Sequence, residues 1–492
     1  MNTQIVRLYA VILLLFTGLI VFTSRWSVLE AEELESRPEN RRLIIQEQQI
    51  ERGSITSSDG VLIAESNPAG GEENPNQRVF IRNYPQGPLF GSPIGYSFVD
   101  IGRTGIELSE NDLLSGDQNE FATLIDQLSG SSREGADITL TLDAGAQRIA
   151  MDALQSAIQA NPGAIGGSVV AIEPDTGAVR VMASLPGYDP NTVKNDQTFS
   201  QLSESEVGPL RNRATQDPFT PGSTMKVVTA AAALDSGEFE TSTTLNANSG
   251  IDISGFPLAN SGGQDFGTID MTTALTQSVN TYWAQVGEQL GEDTMVEYME
   301  RFGFYSDPPL DYPDLEMIAS GPRNADGDLV KDGFDVGRVA IGQGGAEGEL
   351  QATTTQMAEV AATIANGGTL MEPTFLQEAK DPDGRVIEEL DSNERSEAVS
   401  EDTAAQVTEM MISVANDGTA SGLSTTLGQL AGKTGTAEID VEQSINRPWF
   451  IGFAPADDPQ IAVAAMIERC TGCFGGEVAG PIAMQVMDSL GG

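Results

Sequence analysis

Lysine is scarce in this chain of 492 residues, with five in total, and histidine is absent. The absence of histidine excludes Ser-His-Asp and Cys-His catalysis, and it excludes any zinc site held by imidazole. A general base must therefore be Lys, Asp, Glu or Tyr. Each lysine that lies within a motif beside a serine is, for this reason, a candidate for catalysis.

The first candidate motif is Ser223-Thr-Met-Lys226, which follows Pro221-Gly222 and opens a run that is apolar nearly all round. Pro-Gly breaks the preceding chain, and the apolar run predicts a buried helix with Ser223 in its first turn. Residues at i and i+3 share a helix face, so we expect the Lys226 amine to reach the Ser223 hydroxyl. Burial and the helix N-terminus both disfavour an ammonium, so the neutral amine can act as base towards serine.

The second motif is Lys433-Thr434-Gly435, followed by Thr436. It supplies a second cation for a substrate carboxylate, and its small residues let a strand run beside an extended peptide. An ordinary turn that contains glycine is the alternative interpretation. The motif is rarer by chance than Ser-x-x-Lys in a lysine-poor chain, so it is the more specific signal.

The third motif, Ser278-Val-Asn280, is weak by itself, because Ser-x-Asn also occurs at residues 109–111 and 444–446. Of these three, the pattern at residue 278 is the one that lies between the other two motifs, and a helical pattern follows it. Order along the chain therefore favours Ser278 and Asn280 as the third element.

Charge limits the partners of the protein. The chain has 72 acidic and 26 basic residues, a net charge of −46 at pH 7, so the phosphates of nucleic acid would be repelled. Salt screens self-repulsion of this size, which fits a high-salt habitat. An acidic extracytoplasmic protein explains the composition equally well.

The two cysteines, Cys470 and Cys473, are too few for a structural zinc site made of thiolates alone. If the chain lies outside the cytoplasm, the two cysteines are expected to form a disulfide within a hairpin. The sequence implies no metal and no organic cofactor.

The N-terminus predicts a membrane anchor at residues 8–24, an apolar run after Arg7. The run spans about 24 Å, which is short for a bilayer but tolerable with flanking residues that reach the interface. The charge distribution places residues 1–7 in the cytoplasm and the bulk of the chain outside. No clean cleavage site follows, so an uncleaved signal anchor is favoured over a cleaved signal peptide.

Strand patterns recur at both ends of the remaining chain, which predicts a sheet built from both ends with helices packed on it. The patterns are an alternating strand at 138–142, a helix at 144–159, a hairpin at 167–183, and strands at 448–454 and 461–467. The segment 68–93 is dense in Gly, Pro and Asn, and it is expected to be mostly loop.

Taken together, the three motifs resemble the active-site set of the penicillin-binding and serine β-lactamase superfamily. Other stretches resemble the class B penicillin-binding proteins, and the compact length is most similar to the short PbpA-like members from actinobacteria. These stretches are Arg52-Gly-Ser-Ile, Tyr84-Pro-Gln-Gly87, Gly102-Arg-Thr-Gly-Ile-Glu107, Ile341-Gly-Gln-Gly344 and Ile364-Ala-Asn-Gly-Gly368. The resemblance implies a mixed α/β transpeptidase domain at 146–492, with an antiparallel sheet between two layers of helices. It also implies an elongated α+β pedestal, similar to a dimerisation domain, at 25–145.

By this resemblance the protein is expected to be a peptidoglycan D,D-transpeptidase that crosslinks stem peptides with release of D-alanine and is acylated by β-lactams. Ser223 would be the nucleophile, Lys226 the base, Ser278 the proton relay to the leaving amine, and Asn280 a contact for the acyl side chain. Lys433 would tune the site, and the substrate-binding residues would be Thr434, Gly435 and Thr436. The oxyanion hole would be the backbone N–H groups of residues 223 and 436.

Three alternatives remain at this point. A D,D-carboxypeptidase or a β-lactamase would use the same motifs with water as acceptor, whereas a scaffold or β-lactam sensor would lack turnover. The expected partners are stem peptides, β-lactams, the cytoplasmic membrane and, by family analogy, a membrane-embedded glycosyltransferase of the SEDS family.

Overall fold

The computed structural model describes residues 2–24, 48–69, 79–116, 134–345 and 348–491. Its helices are α1 (Asn2–Ser24), α2 (Gly87–Ile94), α3 (Ile106–Ser109), α4 (Asn111–Ser115), α5 (Ala144–Ala160), α6 (Asp196–Ser203), α7 (Arg213–Gln216), α8 (Lys226–Asp235), α9 (Met271–Thr276), α10 (Asn280–Arg301), α11 (Val336–Val339), α12 (Thr354–Ala365), α13 (Glu401–Asp417) and α14 (Ala479–Leu490).

The strands of the first half are β1 (Ile55–Thr56), β2 (Leu62–Pro68), β3 (Phe80–Asn83), β4 (Ser97–Phe98), β5 (Gly102–Arg103), β6 (Asp137–Leu140), β7 (Gly167–Ile172), β8 (Val179–Leu185), β9 (Thr244–Asn246), β10 (Ile251–Ile253) and β11 (Phe256–Leu258). Those of the second half are β12 (Thr268–Asp270), β13 (Gly321–Arg323), β14 (Gly344–Gly345), β15 (Gly348–Gln351), β16 (Thr369–Met371), β17 (Leu376–Lys380), β18 (Val386–Glu389), β19 (Glu394–Glu397), β20 (Ala431–Asp440), β21 (Ile445–Ala454), β22 (Ile461–Ile467) and β23 (Cys470–Thr471).

The sheet that carries the Lys433-Thr434-Gly435 motif has the order β20-β21-β22-β7-β8, with every neighbour antiparallel. The prediction of a sheet built from both chain ends is thus confirmed for the hairpin and the two late strands, whereas the strand predicted at 138–142 lies in a different sheet as β6. All residues of β7 and β22 are buried, so helices or loops cover both faces of the sheet. Helices α5, α12 and α14 all pack against its strands. Strand β20 lies at the edge of the sheet and leaves one side available for another strand.

A second sheet lies in the N-terminal region and has the order β18-β17-β6-β1-β2-β3. Strands β17 and β18 come from residues 376–389, within the range assigned by sequence to the transpeptidase domain. The N-terminal sheet therefore includes strands from both sides of the domain boundary predicted after residue 145. Pairing between strands that are far apart in sequence leaves no local periodicity, so the hydrophobic pattern did not predict this pairing.

A buried ion cluster connects three of the family-like stretches in the N-terminal region. Glu107 is fully buried, and it accepts hydrogen bonds from Arg82 Nε at 2.6 Å and from Arg52 Nη2 at 2.9 Å. The Tyr84 hydroxyl donates to the same carboxylate at 3.1 Å. Burial by itself would raise the pKa of Glu107, but the charges of Arg82 and Arg52 outweigh it and lower the pKa.

The prediction of loop over residues 68–93 is wrong for much of the described part, because β3 and α2 form there. Residues 70–78 lie outside the described residues. Helix α2 tolerates Pro88 because a proline in the first turn replaces an N–H group that has no partner within the helix. Seven of the eight residues of α2 are buried, so packing rather than local propensity stabilises it.

Helix α1 covers the predicted anchor at residues 8–24, and most of its described side chains are exposed. None of the helices in the described ranges combines the length and the hydropathy needed to cross a membrane. The prediction of a transmembrane helix is therefore not supported. Residues 25–47 and 117–133 of the predicted pedestal lie outside the described residues.

The predicted disulfide between Cys470 and Cys473 is present in the structure. Cys470 belongs to β23, which pairs with β21. The disulfide therefore joins β23 to the loop that leads from this strand to α14.

Candidate active site

The nucleophile motif forms a 3₁₀ turn, Gly222–Met225, that leads directly into α8. The Gly222 N–H donates to the carbonyl oxygen of Gly342 at 2.9 Å. A Cβ atom added to Gly342 would lie 1.8 Å from the Gly222 oxygen, so the family-like Ile341-Gly-Gln-Gly344 stretch needs a glycine here. This close backbone contact fixes the turn that carries Ser223.

The Lys226 side chain is fully buried and faces the third motif. Its Nζ lies 2.8 Å from the Ser278 carbonyl oxygen, 2.7 Å from Asn280 Oδ1 and 3.3 Å from Ser278 Oγ. No hydrogen bond joins Lys226 to the Ser223 hydroxyl in the described part of the chain. The predicted i, i+3 contact is thus replaced by contacts with residues 278–280, because three oxygens surround the amine there.

Lys433 approaches the same serine from strand β20. Its Nζ donates to Ser278 Oγ at 2.9 Å and to the Thr434 carbonyl oxygen at 2.9 Å. The Ser278 hydroxyl therefore lies between two amines, those of Lys226 and Lys433. This arrangement connects all three motifs through one oxygen atom.

Both amines have depressed pKa values. Burial, followed by the nearby charge of Lys433, lowers the pKa of Lys226 well below its ordinary value. Burial lowers the pKa of Lys433 to about 7. Among the described residues no carboxylate forms a salt bridge with either amine, so no opposite charge offsets the cost of burying their charge. The lowered pKa of Lys226 favours the neutral amine, which is the form that accepts a proton.

The Lys-Thr-Gly strand lies against the nucleophile turn. A Cβ atom added to Gly435 would meet the Pro221 carbonyl oxygen at 2.7 Å, so a larger residue would push the strand away. A Cβ atom added to Gly222 would lie 3.3 Å from the Thr436 nitrogen. The nucleophile turn therefore lies beside the backbone N–H of residue 436, and an oxyanion hole made by the N–H groups of residues 223 and 436 stays a prediction.

Sequence reasoning missed two residues that hold the hydroxyls of this strand. Thr419 Oγ1 lies 2.5 Å from Thr434 Oγ1, and the Gly475 N–H donates to Thr436 Oγ1 at 3.2 Å. Neither belongs to a recognisable motif, because the contacts arise from loops that fold back onto β20. The disulfide loop described above includes Gly475, which places it beside the predicted substrate-binding strand.

The structure thus brings the eight predicted site residues to one place, and their individual roles stay predictions. Within the described residues, no group of three or more His, Cys, Asp or Glu side chains is arranged to hold a metal ion.

Two family models match the chain. Residues 167–488 match the penicillin binding protein transpeptidase domain, and residues 52–138 match the penicillin binding protein A dimerisation domain. The peptidoglycan D,D-transpeptidase PbpA of Mycolicibacterium smegmatis is 32% identical, and the match covers 98% of this chain and 97% of that protein. PbpA of Mycobacterium tuberculosis H37Rv is 32% identical, with 99% of each chain covered.

Solved structures give the same result. Penicillin-binding protein A from M. tuberculosis, as a ceftriaxone acyl-enzyme complex, has a TM-score of 0.78 and 30% identity. That match covers 90% of this chain and 99% of the other. The imipenem acyl-enzyme complex of the same protein gives a TM-score of 0.77 and 31% identity. From its motifs, its fold and these full-length matches, the chain belongs to the penicillin-binding protein transpeptidases.

Proposed function

We propose that this protein is a peptidoglycan D,D-transpeptidase that crosslinks stem peptides through an acyl-enzyme on Ser223. The observation that carries the proposal is the pair of buried, carboxylate-free amines on either side of the Ser278 hydroxyl, next to the nucleophile turn. Such a pair provides a base without histidine, which this chain lacks. The named activity of the PbpA relatives supports the same reaction.

In acylation, Ser223 Oγ attacks the carbonyl carbon of the penultimate D-alanine, and its proton passes to the neutral Lys226 amine. The C–N bond to the last D-alanine then breaks. The leaving nitrogen receives a proton through the Ser278 hydroxyl, which is within reach of Lys226. Free D-alanine departs, and an ester on Ser223 remains. Hydrogen bonds in such sites often tighten once substrate is bound, so the Ser223–Lys226 contact is expected in the complex.

The remaining groups of the site bind substrate and stabilise charge. The N–H groups of residues 223 and 436 would hold the oxyanion, and loss of one such donor typically costs about 10²–10³ in rate. The edge strand β20 can pair with an extended peptide by strand addition. Lys433, Thr434 and Thr436 would bind the terminal carboxylate, and Asn280 would contact the acyl side chain.

The second half-reaction regenerates the enzyme. An amine of a neighbouring stem peptide attacks the ester carbonyl and gives up a proton to the neutral Lys226. A new amide bond forms, and Ser223 Oγ leaves with the proton that Lys226 passes on. β-Lactams would acylate the same serine and remain attached. The acyl-enzyme complexes of M. tuberculosis penicillin-binding protein A with ceftriaxone, imipenem and penicillin G support this part of the proposal.

We also propose that the protein is held at the cytoplasmic membrane with its catalytic domain outside the cytoplasm. The support is helix α1, whose exposed apolar side chains include Leu14, Leu15 and Leu19. The disulfide, which persists in an oxidising compartment, agrees with this location. Recovery of the full chain with membranes, and its loss from membranes after residues 2–24 are deleted, would test the attachment.

A role in cell division or cell shape, and contact of the N-terminal region with a SEDS-family glycosyltransferase, rest on the resemblance to class B proteins. Co-purification of the full chain with that glycosyltransferase, compared with a variant lacking α1, would test the contact.

Intact-protein mass spectrometry tests the reaction itself. The full chain is mixed with benzylpenicillin at high and low salt, with Ser223→Ala as control. A stable mass increase on the wild type alone is expected from a transpeptidase. Drug hydrolysis without a lasting adduct would indicate a β-lactamase. Intact drug with folded, unmodified protein would argue for a scaffold and against the proposal. Release of D-alanine without crosslinking from a stem-peptide pair would indicate a carboxypeptidase.

A further inference from the structure

Helix α10 begins at Asn280, inside the third motif, and it lacks the usual cap. The first four N–H groups of a helix have no partner within the helix, and a Ser, Thr, Asp or Asn at the N-cap position normally accepts from one of them. Here the N-cap residue is Val279, which has no side-chain oxygen. The flanking side chains are occupied, since Ser278 Oγ and Asn280 Oδ1 contact the two catalytic lysines. The cap must therefore come from another part of the chain.

Asn260 supplies it. Its side chain is 4% exposed, and its Oδ1 accepts from the Thr281 N–H and from Thr281 Oγ1, both at 3.0 Å. Its Nδ2 donates to the carbonyl oxygens of Ala247 at 2.9 Å and Gln264 at 3.0 Å. The oxygen faces two donors and the nitrogen faces two carbonyls, which fixes the orientation of the amide. All four hydrogen-bonding positions of the amide are filled.

The cap lies next to the residues of the proposed catalytic motifs. The residue before it, Ala259, accepts from Asn280 Nδ2 at 3.2 Å. The other end of the Asn280 amide accepts from Lys226 Nζ at 2.7 Å. The chain at residues 259–260 thus contacts two successive residues of α10, and the first of these contacts the proposed base. Ser278 itself has a positive φ of 56°, a conformation that needs support from its surroundings.

We propose that Asn260 is a positioning residue for acylation: as the external cap of α10, it holds Ser278 and Asn280 against Lys226. The inference rests on the proposed function, because it assumes that Lys226 is the base. The two halves of the amide have separate tasks. The oxygen positions the motif, whereas the nitrogen ties together the loops at residues 247 and 264.

This separation makes the proposal testable with two substitutions at one position. Asn260→Ala removes both halves. Asn260→Asp keeps an oxygen for Thr281 at a helix N-terminus, where a carboxylate is favourable, but it loses both donors. Asn191→Ala is the matched control, since Asn191 also joins separate segments, through the backbone of Tyr84, but makes no contact with the motif. The rate of acylation by fluorescent penicillin, its pH profile and the melting temperature are measured for each full-length protein.

We expect the acylation rate and the melting temperature to change independently among these variants. Asn260→Ala should acylate about 10–100-fold more slowly, because a displacement near 1 Å in a site costs up to about 10² in rate. The rising limb of its pH profile should move to higher pH, since a loosened motif admits water to Lys226. Asn260→Asp should recover most of the rate while its melting temperature stays lowered. Asn191→Ala should lose stability without loss of rate.

Several outcomes would overturn the proposal: an unchanged rate in Asn260→Ala, equal slowing in the Ala and Asp variants, or equal slowing in Asn191→Ala. If Asn260→Ala does not fold, Asn260→Leu, which removes the cap but keeps a branched side chain of similar length, is measured instead, and an unchanged rate there would equally overturn the proposal. Wild-type protein that is not acylated at all would contradict the proposed function instead, which distinguishes the two failures.

Discussion

Two clusters of buried charge, one in each region of the molecule, use opposite chemistry. In the N-terminal region the carboxylate of Glu107 lies between two guanidinium groups, those of Arg52 and Arg82. In the active site, the amines of Lys226 and Lys433 share one hydroxyl and have no carboxylate partner among the described residues. Burial is nearly complete in both clusters.

The pKa shifts show what this difference does. Paired with two cations, Glu107 keeps its charge, and its pKa is lowered despite burial. Without an anion, Lys226 and Lys433 have lowered pKa values, and the neutral form is favoured. Paired buried charges keep a structure in one arrangement, whereas unpaired ones are typical of functional sites. This contrast fits a structural role for the first cluster and the proposed role of Lys226 as a base in the second.

Glu359 is intermediate between the two. Its buried carboxylate has a single partner, Arg395 Nη1 at 3.2 Å, and the oxygen Oε2 has no hydrogen-bond partner within the described residues. Burial outweighs this one charge and raises the pKa of Glu359 to about 7. Of these two buried carboxylates, the one with two cationic partners has the lowered pKa and the one with a single partner has the raised pKa.

The largest expected effect follows from removing the base. Lys226→Met should slow acylation by benzylpenicillin about 10²–10⁴-fold, the usual contribution of a general base. Because an apolar side chain avoids the cost of burying an amine, the melting temperature should be unchanged or higher. Stopped-flow acylation and calorimetry check both, with the exposed Lys380→Met as control. Acylation within tenfold of the wild type would contradict the role of Lys226.

Removal of the Glu107 carboxylate should affect the stability of the protein rather than its acylation rate. Glu107→Ala leaves two buried arginines without their counter-ion, so the free energy of unfolding should fall by about 3–5 kcal/mol. The acylation rate of the folded fraction should be unchanged. Urea denaturation measures the loss, and Glu297→Gln, which breaks an exposed pair with Arg301, should cost less than about 1 kcal/mol. A loss below about 1 kcal/mol for Glu107→Ala would remove the contrast between the clusters.

The second amine predicts a pH dependence of stability. Between its folded pKa of about 7 and its unfolded value near 10.5, Lys433 binds fewer protons in the folded than in the unfolded protein. The stability of the wild type relative to Lys433→Met should therefore rise with pH across this window, by up to about 1.4 kcal/mol per pH unit. Denaturation of both proteins from pH 7 to 10 measures the difference. A flat difference would mean that Lys433 is not desolvated as described.

The smallest effect is expected at Glu359, where stability should fall with rising pH instead of increasing as it does for Lys433. Its folded pKa of about 7 exceeds the ordinary value of 4.5, so the folded protein binds the extra proton between these limits. The stability contributed by this group should fall as pH rises from 4.5 to 7 and remain constant above. Comparison of wild type with Glu359→Gln by urea denaturation should show this slope in the wild type alone. The same slope in both proteins would assign it to other groups.

The sequence predicted the three motifs and the sheet because these depend on local patterns and on chain order. It predicted that Lys226 is buried, since the run after it is apolar. It did not predict the hydrogen bond from Lys226 to Asn280, because that contact depends on where α10 begins in space. Asn260 and Thr419 were missed for the same reason. Each acts through a contact between distant segments, and neither position carries a local signal.

The most direct test of the account is the location of the acyl group. Trypsin cleavage after Arg213 and Lys226 releases a peptide, residues 214–226, in which Ser223 is the only serine. After reaction of the full chain with benzylpenicillin and quenching in acid, we expect the penicilloyl mass on this peptide and on no other. An adduct on a different peptide, such as one that contains Ser278, would contradict the assignment of Ser223 as nucleophile and Lys226 as its base.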